Sequence, residues 1–148
     1  MHESTLPAPP LIGLLLRLLY QHYSQDMEAA LREAGFGDLR PPHSNVFPFV
    51  PADGITVSEL AALARVRKQS MAEAVDQLER MGYVERRPNP RDRRSRLVFL
   101  TERGESVRPV THATAKRVEQ HWAELTSPDE LERLRASLLS FLTELRAQ

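Results

Sequence analysis

TVSELAALARVRKQSMAEAVDQLERMGYVERRPNPRDRRSRLVFLTERG, residues 56–104, is the stretch whose reading decides the fold. Thr56 stands three residues before Glu59, the spacing at which a hydroxyl and a carboxylate each satisfy one orphan amide at a helix start. Leu60, Leu63 and Ala64 follow as one apolar face, and Val66 closes this short helix. Arg67 to Ser70 open a second helix, in which Met71, Ala74, Val75, Leu78 and Met81 recur at three- and four-residue steps. Gly82 stops it. The polar face left over carries Lys68, Gln69, Ser70, Glu73 and Gln77, side chains able to meet phosphates and base edges.

Beyond Gly82 the period changes. Tyr83–Arg87 and Ser95–Leu100 are rich in apolar, β-branched and aromatic residues, which predicts two strands. Between them Pro88-Asn89-Pro90-Arg91-Asp92-Arg93-Arg94 resists regular structure, so the pair forms a hairpin with a long tip. Arg91, Arg93, Arg94 and Arg96 lie on or beside that tip, with only Asp92 to offset them. A helix-turn-helix leading into such a ribbon is a winged helix, which sets one helix in the major groove of double-stranded DNA and an arginine tip alongside it.

Three motifs in register carry a resemblance. Leu78-Glu79-Arg80-Met81-Gly82-Tyr83-Val84-Glu85-Arg86, then Asp92-Arg93-Arg94-Ser95-Arg96, then Leu100-Thr101-Glu102-Arg103-Gly104 resemble the LExxGhhxR, DxR and LTxxG signature of the multiple-antibiotic-resistance regulator (MarR) family. The resemblance covers nearly the whole chain. It implies a dimeric winged-helix transcription factor, usually a repressor, often released from DNA by a small ligand. It also implies that Asp92 forms an ion pair fixing the direction of a wing arginine.

Composition sets bounds independently of any motif. A chain of 148 residues suffices for one domain with its own core. No run of 18 apolar residues occurs, so no membrane span is expected; the apolar run at 11–20 is interrupted by Arg17 and lacks the flanks of a signal peptide. A cytoplasmic protein is the expectation. With no cysteine, disulfides, thiolate metal sites and thiol redox sensing are excluded. The net charge of zero conceals a segregation: residues 65–103 hold 11 Lys and Arg against 6 Asp and Glu, and the rest of the chain compensates. A basic centre between acidic ends is the footprint of a module whose middle approaches phosphates. A merely solvated face is the competing reading, and it does not account for arginines gathered on a hairpin tip.

The flanks read as helices around this module. Residues 1–10 form a polar, proline-bearing arm. Leu11 to Ala34 is helical in period and apolar nearly all round in its first half, which calls for partners on more than one side; Gly35 and Gly37 end it. Arg40 to Asp53 carries Pro41, Pro42, Pro48 and Pro51, so a short helix is expected from about His43, bent or ended near Pro48. Asp53-Gly54 turns the chain into the capping box. After the wing, Thr101 caps a helix reaching about Leu125, kinked near Pro109, with Val107, Val110, Thr114, Val118, Trp122 and Leu125 along one side. Ser127-Pro128-Asp129-Glu130 starts a last helix striped by Leu131, Leu134, Leu138, Phe141, Leu142 and Leu145.

The expected architecture is therefore mainly α with a small β-hairpin wing: one MarR-like domain, with residues 40–104 as the DNA-binding module and 11–34 and 101–148 as dimerisation helices. By resemblance these termini interlock across a two-fold axis; a monomer with its end helices packed together is the alternative. A homodimer presents its reading helices about one DNA turn apart, ~34 Å, which predicts a pseudo-palindromic operator. Arg67, Lys68, Gln69 and Ser70 meet phosphates and base edges at the helix start, Glu73 accepts from cytosine, and Gln77 pairs with adenine. Arg93 or Arg94 enters the minor groove, with Arg91 and Arg96 beside them. An ordinary solvated face competes with the contact reading at Glu73 and Gln77.

The family's ligand pocket, between reading module and dimer helices, implies His22, Tyr23, His43, Phe47 and Trp122 as contacts for an aromatic or phenolic effector. A metal site from His22, His43, His112 and His121 lacks both cysteine and close histidine spacing, and none is expected. No catalytic constellation and no phosphate-cradling glycine loop appears, so neither enzyme activity nor a cofactor is expected. The rival function is a winged-helix protein-interaction module without specific DNA binding, which loss of the wing arginines would favour.

Overall fold

The structure, a computed structural model, describes residue 6 and residues 8–148; most of the expected N-terminal arm lies outside the described residues. Its order is α1 (Ile12–Glu33), two 3₁₀ turns (Pro41–Asn45 and Phe47–Phe49), α2 (Val57–Ala64), α3 (Lys68–Arg80), β1 (Val84–Pro88), β2 (Arg96–Leu100), α4 (Glu102–Leu125) and α5 (Pro128–Arg146). The chain divides into two compact units, one through Thr111 and the other His112–Gln148.

In the first unit, α1, α2 and α3 close by one device. After α1 the Phe36 amide reaches back to the Leu31 carbonyl at 2.8 Å, after α2 Val66 to Ala61 at 3.0 Å, and after α3 Tyr83 to Leu78 at 2.9 Å. Such closures need a left-handed residue at the exit. Gly35 and Gly82 supply it at φ +93° and +82°, whereas the α2 exit uses Arg65 at φ +57°, a backbone conformation that costs a side-chain-bearing residue about 1 kcal/mol or more. The first helix therefore ends at Ala64, ahead of the expected Val66. Leu63 departs from expectation too: it is 54% exposed, and Ala61 takes the buried place beside Leu60.

The proline-rich segment forms no α-helix. Pro41 opens the first 3₁₀ turn and Pro48 sits inside the second, so the structure starts at Pro41 rather than His43. The guanidinium of Arg108 on α4 donates to the carbonyls of Phe47 (3.1 Å) and Val50, supplying donors for oxygens that no continuing helix can serve.

β1 and β2 pair antiparallel, Val84 opposite Leu100 and Arg86 opposite Val98. Ile55 adds a bridge to Val98, its amide donating at 3.1 Å and its carbonyl accepting at 2.7 Å. The ribbon is thereby fastened to the turn before α2. There Gly54, at φ +83°, lies under the Phe99 ring, which would stand 2.6 Å from any Cβ. Val46, Leu60, Met71, Val75, Leu78, Tyr83, Val84, Val98 and Val107 form the fully enclosed core behind α3.

α4 runs unbroken from Glu102 to Leu125 with Pro109 inside it. Thr101 caps it as expected, accepting from the Gly104 amide at 3.2 Å. In the second unit Ser127 caps α5 by accepting from the Glu130 amide at 3.1 Å, one half of a capping box. Arg135 of α5 reaches Glu119 of α4 at 2.8 Å. No residue of α5 is buried, and Leu139, Phe141 and Leu145 are each more than 60% exposed. Leu11, just before α1, and Ile12 and Tyr20 on it are also mostly exposed. Among the described residues no helix is long and apolar enough to cross a membrane.

Candidate nucleic-acid interface

α3 turns Met71, Ala74, Val75 and Leu78 inward and leaves Lys68, Gln69, Ser70, Glu73 and Gln77 exposed, as the spacing requires. Its N-terminus differs from those of α2 and α5. Thr56 and Ser127 each satisfy an amide of the helix that follows, but Arg67, the residue before α3, makes no side-chain cap. Uncapped first-turn amides, with the exposed side chains of Arg67 and Lys68 beside them, form a positive pole suited to a phosphate. Arg65, in the turn between α2 and α3, and Arg80, on the exposed face of α3, are two more exposed basic side chains that the sequence reading omitted. Arg80 was legible, since it falls one turn beyond Asp76 and Gln77 on the face opposite Leu78.

The wing tip is organised by side chains acting on backbone. Asn89 Oδ1 accepts from the Arg91 amide at 3.0 Å, and its Nδ2 donates to Ser95 Oγ at 2.9 Å. Asp92 Oδ1 accepts from the Arg94 amide at 2.9 Å, and the Asp92 carbonyl accepts from the Ser95 amide at 3.2 Å. This corrects the expected ion pair. The tip's own unpaired amide is nearer to the Asp92 carboxylate than any guanidinium, so Asp92 builds the turn instead of aiming an arginine. The side chains of Arg91, Arg93 and Arg94 then stand exposed, with no ion pair or hydrogen bond to other described residues.

At the base of the wing every arginine is engaged. Arg86, its side chain only 17% exposed, pairs with Asp76 at 2.7 Å and Glu79 at 3.0 Å, tying β1 to α3. Arg87 pairs with Glu85 and lies 4.2 Å from the centre of the Phe99 ring. Arg96 donates to the Arg86 carbonyl at 3.0 Å, so it belongs with this group more than with the tip. Arg103 donates to the Met81 carbonyl at 2.7 Å and the Tyr83 hydroxyl at 3.0 Å, and meets Asp38 at 3.3 Å. Tyr83 in turn donates to Asp38 at 2.5 Å. Burial and the Asp38 carboxylate push the Tyr83 hydroxyl up to about 12, against a smaller opposing effect of Arg103. No sequence signal announced this triad; Asp38 and Tyr83 lie 45 residues apart.

The remaining expected contacts differ in burial and partners. His43 and Phe47 are buried, Phe47 edge-on to Tyr83 with ring centres 5.9 Å apart. His43 accepts from the Arg40 amide at Nδ1 and meets Gln77 at Nε2. His22 is exposed, Tyr23 half-buried and stacked with Tyr20 at 6.3 Å, and Trp122 half-buried. Among the described residues no three His, Asp or Glu side chains gather as a metal site would require.

A helix-turn-helix joined to an antiparallel wing, with an open helix start and free cations at the tip, defines a winged-helix protein. Residues 41–95 match the model of the MarR family. The chain is 34% identical over 94 residues to the transcriptional repressor MprA of Escherichia coli, covering 62% of this chain and 53% of MprA. It is 41% identical over 56 residues to the transcriptional activatory protein BadR of Rhodopseudomonas palustris, covering 38% of this chain and 32% of BadR. The matched region thus spans about half or less of either relative. The solved structure of apo MarR from E. coli superposes with a TM-score of 0.73 at 26% identity, covering 89% of this chain and 97% of that one. Over residues 41–95 the chain is thus similar to the MarR family, and its fold is similar to that of MarR.

Proposed function

We propose that this protein is a homodimeric, sequence-specific DNA-binding regulator of transcription, with α3 in the major groove and the wing tip against the neighbouring backbone and minor groove. The observation that carries this reading is the trio of unpartnered cations, Arg91, Arg93 and Arg94, on a tip whose backbone is fixed by Asn89 and Asp92. Solubility alone gives no reason to concentrate free arginine on a rigid turn beside an uncapped helix start. The exposed apolar residues of α1 and α5 support a dimer, because a soluble surface gains nothing from Leu11, Ile12, Leu139, Phe141 and Leu145 in water. Two reading helices related by a two-fold axis call for a pseudo-palindromic operator with half-sites ~10 bp apart or slightly more.

Repression is the sign we adopt, on the longer of the two matches, that to MprA. Release by a small aromatic or phenolic effector completes the proposal; His43 and Phe47, two of the contacts expected for it, already have partners inside the module. An electrophoretic shift titration with DNA from upstream of the protein's own gene, against scrambled competitor at stated salt, tests the DNA reading. A discrete shift that survives competitor is expected. Only weak, salt-labile binding there and no site in a genome-wide selection would favour the interaction-module function.

A further inference from the structure

Gln77 does not offer DNA a free carboxamide. His43 is 3% exposed, and its Nδ1 accepts the Arg40 amide proton at 2.9 Å. A neutral imidazole that accepts at Nδ1 carries its proton on Nε2. Nε2 lies 2.7 Å from Gln77, so the partner atom there has to be an acceptor, and the amide oxygen Oε1 is the acceptor that Gln77 has. The orientation of the carboxamide thus follows from a backbone donor on the far side of the ring. The oxygen is held toward the buried histidine, and the amino group, with two N–H donors, is what exposed Gln77 presents outward.

We propose that His43 is a positioning residue that makes Gln77 a hydrogen-bond donor in base recognition, matched to guanine rather than adenine. The proposal rests on the DNA-binding reading above. Guanine shows two acceptors in the major groove, N7 and O6, and both suit an amino group. Adenine shows an acceptor and a donor, and its usual pairing with glutamine uses the amide oxygen that His43 holds. The sequence alone suggests the adenine pairing, because nothing local links residue 77 to residue 43.

The test uses the full-length protein and its selected operator, with each operator position changed through all four base pairs. Wild type is expected to prefer guanine over adenine by roughly tenfold at one position per half-site. Gln77→Ala, a change at an exposed residue, erases that preference. Gln77→Glu keeps an acceptor for His43 but turns the outward group into an acceptor, and the preference moves to cytosine. His43→Leu shifts the guanine-to-adenine ratio toward adenine, which a loss of stability alone would not do. ¹⁵N spectra of the histidine ring in the free protein give a readout independent of DNA: the Nε2–H tautomer is expected at His43, and the Nδ1–H tautomer overturns the proposal. A wild-type protein that binds a discrete operator while both Gln77 variants keep its base preferences at every position also overturns the proposal and leaves DNA binding intact. Absence of any sequence-selective binding by wild type overturns both.

Discussion

The tip and the base of the wing are built from the same residue to opposite ends. At the base, Arg86, Arg87, Arg96 and Arg103 are each spent on a carboxylate, a ring or a carbonyl of the protein itself. At the tip, Arg91, Arg93 and Arg94 have no such partner among the described residues, and the local carboxylate, Asp92, serves a backbone amide. Charge counted along the sequence does not separate the two groups. Position relative to acidic side chains on neighbouring elements does: β1 runs beside Asp76 and Glu79 of α3, and the tip extends past any such neighbour. Base arginines should therefore govern stability, and tip arginines binding.

Gly104→Ala breaks the base most severely. A Cβ there would stand 2.1 Å from the Tyr83 carbonyl oxygen, so the start of α4 and the start of the wing cannot both keep their places. We expect a loss of about 3 kcal/mol or more in denaturant unfolding, with DNA binding lost through unfolding. A mutant as stable as wild type would mean that this junction yields freely. At the tip, Arg93→Ala or Arg94→Ala is expected to weaken operator binding by ~1–3 kcal/mol while leaving the melting temperature nearly unchanged. Unchanged affinity in both single mutants and in the double mutant would remove the wing from recognition.

Smaller effects sharpen the division. Tyr83→Phe leaves Asp38 and Arg103 paired and removes one hydroxyl, a cost of about 1 kcal/mol. Because the folded state raises the Tyr83 hydroxyl above its ordinary 10 to about 12, the wild type keeps this stabilisation below pH 10 and loses it as pH climbs toward 12. Unfolding titrated over that window should fall more steeply for wild type than for Tyr83→Phe; equal slopes would show that the hydroxyl is not held protonated. Arg65→Gly separates the two currencies at a single residue. Glycine relieves the positive φ and should stabilise the fold by about 0.5–1 kcal/mol, while loss of the cation beside α3 weakens DNA binding. Stability and affinity moving in the same direction would count against that assignment.

What the sequence discloses follows the range of the interaction. The Thr56–Glu59 box, the Gly82 stop, the hairpin and the Ser127 cap are written within a few residues and stand where local rules put them. Leu63 lies outside the buried stripe that its spacing suggests, because a helix of eight residues is too short for its period to single out one face. The contacts that shape the interface are longer: His43 to Gln77 spans 34 residues, Tyr83 to Asp38 spans 45, and Arg108 to the Val50 carbonyl spans 58. No periodicity encodes such pairs; the tertiary packing of residues 38–50 against α3, Tyr83 and α4 creates them. The free arginines of the tip were legible as charge. Their freedom was not.

The salt dependence of operator affinity tests the division most directly, measured for wild type, for the triple variant Arg91→Ala, Arg93→Ala, Arg94→Ala at the tip, and for Arg87→Ala at the base. Each phosphate neutralised by a cation contributes ~0.9 to the slope of log affinity against log salt. The triple variant should show a slope shallower by about one or more, and Arg87→Ala the slope of wild type. Equal slopes for wild type and the triple variant, or a shallower slope for Arg87→Ala alone, would contradict the assignment of the tip to DNA and the base to the fold.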